Sequence, residues 1–472
     1  MTFLDCRALE GSYRPADLFS LLAEGQPYAF WLDSARPESP MSRYSYLGVP
    51  LAGGTLRYRQ GSGQVERLDA DGKPVEALEG SIWRVLPGLL EEAPRPHCEG
   101  LEPALPQDVL LGGYVGFMGY EAQADLDETA FHAEHPHRQA RTPDALWMPA
   151  SHYLILDEET GSCWLVGPTD WVEETARLIA QKLASPVPGQ NQKQELTLPA
   201  FPLPDRQTYL AAIASAQEEI ARGNSYEVCL TAETSVRLPS PPTESQVLGL
   251  YLAQRQANAA PYAAFLRCGD FSVLSSSPEK FLTVSRDGLA EAKPIKGTAP
   301  RSADALADRQ AADWLASDPK TRAENLMIVD LLRNDLSRVS QPGSVRVPVL
   351  MGVETYSTVH QLVTTIQSHL RPGLSALDAV ATCFPGGSMT GAPKASTMAI
   401  IDRLEGRARG VYSGALGYLG ADGAAALSIV IRTLVVHQEG LVTLAAGGAI
   451  VTDSDPEAEY QEMVTKLRAA LP

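Results

Sequence analysis

Several stretches of this 472-residue chain carry side chains whose type and spacing could do chemistry. In DPEAEYQEMVTKLRAAL, Asp455 has the place of an N-cap and Pro456 that of a first helical residue, which predicts a helix. At about 100° per residue, Glu459, Glu462 and Lys466 share one face of it, beside an apolar stripe of Tyr460, Met463, Val464 and Leu467. An exposed Glu462–Lys466 pair at i,i+4 would account for that spacing with no further role. A second helix is predicted in RAENLMIVDLLRNDLSRV, residues 322–339, apolar on most sides like a buried helix, with Glu324 at its entrance. The helix dipole alone favours an acid there. One carboxylate from each helix would also suit Mg²⁺, which takes one or two carboxylates while water or substrate oxygens complete its shell.

FPGGSMTGAPKAS, residues 384–396, is a glycine-rich loop opening a further helix through Met398, Ile401 and Leu404, with Pro393 near its first turn. Ala392 and Pro393 separate Lys394 from the second glycine of a P-loop spacing, so nucleotide binding is not indicated. The glycine amides could form a nest for a carboxylate, or simply a tight turn. In ALSIVIRTLVV, Leu427, Ile429 and Ile431 alternate with Ser428, Val430 and Arg432, predicting one strand whose apolar run Arg432 interrupts. That arginine needs a carboxylate, either the protein's own or a ligand's held bidentately. EAKPIKGTAPR reads as extended around Pro294, with Lys293 and Lys296 placed so that one could lower the other's pKa toward nucleophilic use.

These groups need a scaffold to bring them together. Residues 184–205, ASPVPGQNQKQELTLPAFPLPD, are rich in Pro and Gln and lack amphipathic period, so they read as a surface connection between regions 1–183 and 206–472. Before it, YAFWL at 28–32, LGGYVGFMGY at 111–120, HYLILD at 152–157 and CWLVG at 163–167 read as strands. After it, Tyr209, Ile213, Ala216 and Ile220 keep helical spacing up to Gly223, and a strand, YEVCLTAET, follows. VYSGALGYLG, AAALSIVIRTLVV and LVTLAAGGAIVT, joined by ADG and HQEG turns, predict an antiparallel meander.

With 44% hydrophobic and 20% charged residues the composition is that of a globular chain, which excludes disordered, collagenous and coiled-coil classes. A net charge of −18 argues against nucleic acid or an anionic membrane as main partner. An anionic ligand would need a bound cation or a local positive cluster. The six cysteines, Cys6, Cys98, Cys163, Cys229, Cys268 and Cys383, lack zinc-site spacing and read as reduced, mostly buried thiols. No signal-peptide pattern opens the chain and no apolar run reaches roughly 18 residues, so a cytoplasmic protein is expected.

Taken in order, SSSPEKF, PIKGTAPR, AENLMIVDLLRNDL, ETYSTVHQLVT, FPGGSMTGAPK, YSGALGYLG, IVIRT and DPEAEYQEMVTK resemble the chorismate-utilising enzymes, almost continuously over residues 206–472. WLDS at 31–34, SRYSYLG at 42–48 and GGYVGFMGYE at 112–121 resemble the amino-terminal half of members that depend on a glutamine amidotransferase. The resemblance implies an α/β fold of α+β type, two sheets packed face to face with helices outside, with chorismate as substrate and Mg²⁺ as cofactor. By position it implies Glu324 and Glu462 as direct metal ligands and Glu459 as one acting through water. Tyr412, Arg432, Lys466, the backbone around Gly448 and the Ser388 loop are implied as substrate contacts, Glu279 as an acid, and His360 as a supporting acid/base or positioning group.

Lys296 is the residue that divides this family. PIKGT is similar to the branch that forms 4-amino-4-deoxychorismate through a lysine nucleophile, whereas anthranilate, isochorismate and salicylate synthases usually read PIAGT. Lys280 stands where arginine is common, Ala446 where glycine is common, and NAAPY at 258–262 replaces N-P-x-P-Y. Ser34, Pro261 and Tyr262 match parts of a tryptophan pocket. No glutaminase or pyridoxal-phosphate lyase region is recognisable, so ammonia is expected from a separate glutaminase subunit and conversion to 4-aminobenzoate from a separate lyase. The alternatives are an anthranilate-forming enzyme and a non-catalytic chain that binds an aromatic amino acid and regulates a partner.

Overall fold

The computed structural model describes residues 4–35, 43–98, 100–106, 108–126, 138–183, 196–356 and 359–472. Among them, two largely antiparallel sheets of 12 strands each form the core. One runs from Glu227–Arg237 and Leu441–Ile450 through Thr433–His437, Phe271–Ser277, Tyr262–Cys268 and Tyr28–Asp33 towards Leu4–Leu9. The other runs from Ile295–Pro300 and Val359–His369 through Leu289–Lys293, Lys280–Val284, Ala425–Ile429 and Ala415–Gly420 to Gly113–Met118 and beyond. Each sheet takes strands from both sides of the proline-rich connection: Trp31 pairs with Phe265 in one and Gly116 with Gly417 in the other. Residues 184–195 of that connection lie outside the described residues.

The alternation that predicts strands also explains the layers, because each strand offers one face to each side. Phe30, Tyr153 and Leu266 of the first sheet meet Val115, Phe117 and Met148 of the second in a shared buried cluster, so the sheets pack face to face. On the first sheet's other side, Ile213, Leu250, Ile401 and Met463 seat the helices Arg206–Ala221, Glu244–Ala257, Lys394–Glu405 and Pro456–Arg468. Each such side chain contributes about 1.5–3 kcal/mol by leaving water. The expected α/β two-sheet fold with outer helices is what the chain adopts.

Three expectations are corrected. ALSIVIRTLVV is not one strand: Ala425–Ile429 belongs to the second sheet and Thr433–His437 to the first. The chain crosses between sheets at Val430–Arg432, where Arg432 takes φ 51°. Its carbonyl accepts hydrogen bonds from the Ser276 amide at 3.1 Å and Gln254 Nε2 at 3.3 Å. Both flanking strands are buried, so apolar alternation runs through the crossing without marking it. Next, the Glu324 helix spans Pro319–Ser337, with Asp318 accepting from the Thr321 amide as N-cap. Glu324 therefore sits in the second turn, where a first-turn dipole preference does not explain it, and Leu326 is exposed. Finally, Cys6 and Cys98 form a disulfide, because parallel pairing of Leu4–Leu9 with Pro96–His97 sets them side by side. Cys163, Cys229, Cys268 and Cys383 are buried free thiols, as expected. Among the described residues no helix is long and apolar enough to cross a membrane.

Candidate active site

On strand Glu227–Arg237, Val228 and Leu230 point into the helix-covered core, which leaves Glu227, Cys229 and Thr231 on the opposite face. Glu227 is fully buried, and its Oε1 accepts from Lys296 Nζ at 3.0 Å. Lys296 follows the Pro294 break, on strand Ile295–Pro300. The next residue must be glycine: Gly297 has φ +82°, and a Cβ there would lie 2.4 Å from Thr321 Cγ2 in the first turn of the Glu324 helix. That close approach sets the lysine beside Glu324, whose charge it feels.

The expected help from Lys293 is not present, because Lys293 pairs with Glu354 at 2.6 Å. Burial disfavours the Lys296 ammonium, but the charges of Glu227 and Glu324 outweigh it and hold the pKa above its ordinary value. Held 3.0 Å from Glu227 and with its side chain 11% exposed, Lys296 rests as a largely buried ammonium, a correction to the expectation of a lowered lysine pKa.

Glu279 precedes strand Lys280–Val284 and is itself buried. Burial pushes its pKa up to about 7, against a hydrogen bond from Ser388 and the positive charges of Lys296 and Lys466. A carboxyl so placed can carry a proton at neutral pH and release it. Ser388, on the short turn Gly387–Met389, thereby ties the glycine-rich loop to this acid. Lys466 Nζ donates to the Gly447 carbonyl at 3.0 Å and stands 2.7 Å from Glu462 Oε1. Burial works against ionisation of Glu462, yet Lys466 keeps its carboxyl below the usual range. The i,i+4 pair read from sequence is formed and is exposed, its side chains 45% and 52% accessible, while Lys466 also reaches the Gly447 carbonyl.

Two carboxylates from different helices converge on one cation. Lys320 Nζ lies 3.8 Å from Glu324 Oε1 and 3.7 Å from Glu459 Oε1. Glu459 is buried, accepts from Ser454 Oγ at 2.7 Å, and would stand 3.1 Å from a Cβ at Gly448. The Glu324 pKa is raised, first by burial and further by Glu227 and Glu459. An oxygen-only set of this kind is the chemistry a hard divalent ion takes. Among the described residues no three His, Cys, Asp or Glu side chains stand close enough to enclose an ion. The Glu324 and Glu459 carboxylates gathered on Lys320 are oxygen donors of the kind that a hard ion such as Mg²⁺ takes one or two at a time.

Tyr412 is buried, with its pKa raised by burial and by the nearby Cys229. Arg432 occupies the crossing between sheets, and Gly448 pairs with Leu230 on the strand that carries Glu227. His360 is engaged differently: Nε2 lies 3.1 Å from Asp308 Oδ1 and Nδ1 lies 2.8 Å from Thr355 Oγ1. Asp308 is held well below the usual carboxylate range, chiefly by hydrogen bonds from Arg301 and the Ser302 amide. Ser34, Pro261 and Tyr262 line a separate cavity of about 630 Å³ together with Asp33, Arg43 and Glu291. Lys296, Glu324 and Glu462 do not line it. The sequence reading overlooked Glu227, although an acid inside the apolar run YEVCL is the same kind of signal as Arg432 in IVIRT.

The profile of a family described as chorismate binding enzyme matches residues 29–472. The chain is 41% identical over 470 residues to an aminodeoxychorismate synthase of Streptomyces pristinaespiralis, covering 96% of this chain and 62% of that protein. It thus spans less than two thirds of that relative. It is 34% identical over 501 residues to anthranilate synthase component 1 of Haloferax volcanii, covering 98% and 92% of the two chains. The crystal structure of anthranilate synthase component I from Streptococcus pneumoniae superposes with a TM-score of 0.75 at 26% identity, covering 92% of this chain and 93% of that one.

Proposed function

The chain belongs to the chorismate-binding enzyme family, and from that membership we propose that it aminates chorismate at C4, giving 4-amino-4-deoxychorismate with the enolpyruvyl group retained. The observation that carries this reading is the largely buried Lys296, held against Glu227 and close enough to Glu279 to act on its charge. A lysine nitrogen that adds to C2 as the C4 hydroxyl leaves splits one hard displacement into two steps. Glu279 protonates the departing hydroxyl. Ammonia then adds at C4, the lysine is expelled, and Glu279 takes back a proton from the new amine.

Arg432, Tyr412, Lys466, the Ser388 loop and the backbone at Gly448 hold the two substrate carboxylates. Mg²⁺, held by Glu324 and Glu462 and through water by Glu459, would supply the positive charge that a −18 chain needs at an anion site. His360 acts as a positioning group through Asp308. A separate glutaminase subunit supplies the ammonia and a separate lyase releases 4-aminobenzoate for folate synthesis, in the cytoplasm. Region 206–472 carries this chemistry, and the cavity that Ser34 of region 1–183 lines with Pro261 and Tyr262 of region 206–472 takes an amino acid such as tryptophan.

A second reading, anthranilate formation with loss of pyruvate, is favoured by the near full-length match to anthranilate synthase component 1. Product analysis separates the two. Pure chain with chorismate, Mg²⁺ and an ammonium salt should give a non-fluorescent product that becomes 4-aminobenzoate only after a lyase is added; direct release of fluorescent anthranilate rejects the first reading.

A further inference from the structure

A nucleophilic lysine must lose a proton before its lone pair can bond to carbon, yet this lysine rests as an ion pair. The groups whose charges reach Lys296 are Glu227 and Cys229 from one strand, Glu324 from the Pro319–Ser337 helix, Glu462 from the Pro456–Arg468 helix, and Glu279. Of their carboxylates, Glu227 has an oxygen within hydrogen-bond distance of Nζ, at 3.0 Å. Its residue is 0% exposed, so water does not compete for the proton. The second oxygen, Oε2, is buried with no hydrogen-bond partner, an uncommon condition for a carboxylate and one that protonation relieves.

Resting on the amination reading above, we propose that Glu227 is the base that takes the proton from the Lys296 ammonium as Nζ bonds to C2, and returns it when that bond breaks. The step balances. Glu227 receives one proton and Lys296 becomes a neutral amine. The amine's electron pair forms the N–C2 bond, the ring double bond shifts, and the C4–O bond breaks, with the Glu279 proton leaving in water. When ammonia adds at C4, the N–C2 electrons return to Lys296 as neutral amine. Glu279 takes a proton from the new C4 amine, and Glu227 returns its proton to Lys296. Because this exchange is internal to the pair, Lys296 is activated without releasing a proton to solvent.

The test compares kcat/KM for chorismate, with saturating ammonium salt, in wild type, Glu227→Gln and Glu227→Asp between pH 6 and 9. Glutamine keeps the shape but accepts no proton, so Lys296 must then lose its proton to water. The expected E227Q rate is reduced about 100-fold or more near pH 6.5, within the range for loss of a general base. Its ratio to wild type should rise about tenfold per pH unit until the lysine titrates. The Glu279 limb is common to both proteins and cancels in that ratio. A pH-independent ratio, or wild-type activity in E227Q, overturns the base role. Should E227Q fail to fold, E227D carries the test: its ratio to wild type should stay level with pH, and a rising ratio overturns the proposal. Absence of 4-amino-4-deoxychorismate from the wild-type reaction overturns the amination reading and the base role together, whereas amination with a level E227Q ratio overturns the base role alone.

Discussion

Glu279→Gln should make the protein more stable and less active, with a pH signature that follows from burial. The Glu279 pKa is raised from 4.5 to about 7, chiefly because the ionised form is desolvated. At about 1.4 kcal/mol per pH unit, that displacement corresponds to roughly 3 kcal/mol between the two ends of its titration. The native pKa lies above the unfolded one, so the native state binds this proton more tightly. The group's stability contribution is complete below about pH 4.5, declines as pH rises, and is lost once pH passes about 7. Glutamine does not titrate. In urea unfolding at pH 5, 6, 7 and 8, stability of the variant relative to wild type should therefore increase with pH, by about 2.5 kcal/mol across that range. Chorismate amination should fall by about 100-fold or more, as for loss of a general acid. A stability difference that stays level across this range would refute the reasoning, because the desolvated carboxyl would then not be titrating in the native state.

Lys296→Met should abolish amination and cost about 3–5 kcal/mol by leaving the Glu227 carboxylate buried and unpaired; restoration of stability in urea unfolding by adding Glu227→Leu checks the pair, and failure of the second change to restore it contradicts the pairing. Glu324→Gln should weaken Mg²⁺ binding by tenfold or more in calorimetry of the wild-type and variant chains, an outcome that an unchanged binding isotherm would contradict. Alkylation of the unfolded, unreduced chain should modify the four thiols Cys163, Cys229, Cys268 and Cys383 and spare Cys6 and Cys98; modification of all six, read by intact mass, rules the disulfide out.

Much of the scaffold is legible in the sequence because local signals and tertiary packing agree. The Asp455-Pro456 start, the Gly223 stop and the alternating runs of the amino-terminal half all correspond to observed boundaries or strands. The Arg432 crossing is not legible, because burial on both sides keeps its neighbours apolar whether the chain continues or changes sheet. Cysteine spacing does not reveal the Cys6–Cys98 bond, since parallel pairing of Leu4–Leu9 with Pro96–His97 makes them neighbours. The charge state of Lys296 is not legible for a related reason: sequence shows the nearby Lys293, while the decisive neighbour, Glu227, comes from a strand 69 residues away. The meeting of Glu324 and Glu459 around Lys320 likewise joins two helices far apart in sequence; the carboxylate on each helix is legible, but their contact is not.

The most direct measurement of the central claim is mass spectrometry of the wild-type chain quenched during turnover with chorismate and Mg²⁺ in limiting ammonia. An adduct on Lys296, heavier by one chorismate less one water and discharged on addition of ammonium to yield 4-amino-4-deoxychorismate, is the expected result. Turnover to that product with Lys296 unmodified at every quench time, and undiminished in Lys296→Ala, would contradict a covalent role for the buried lysine.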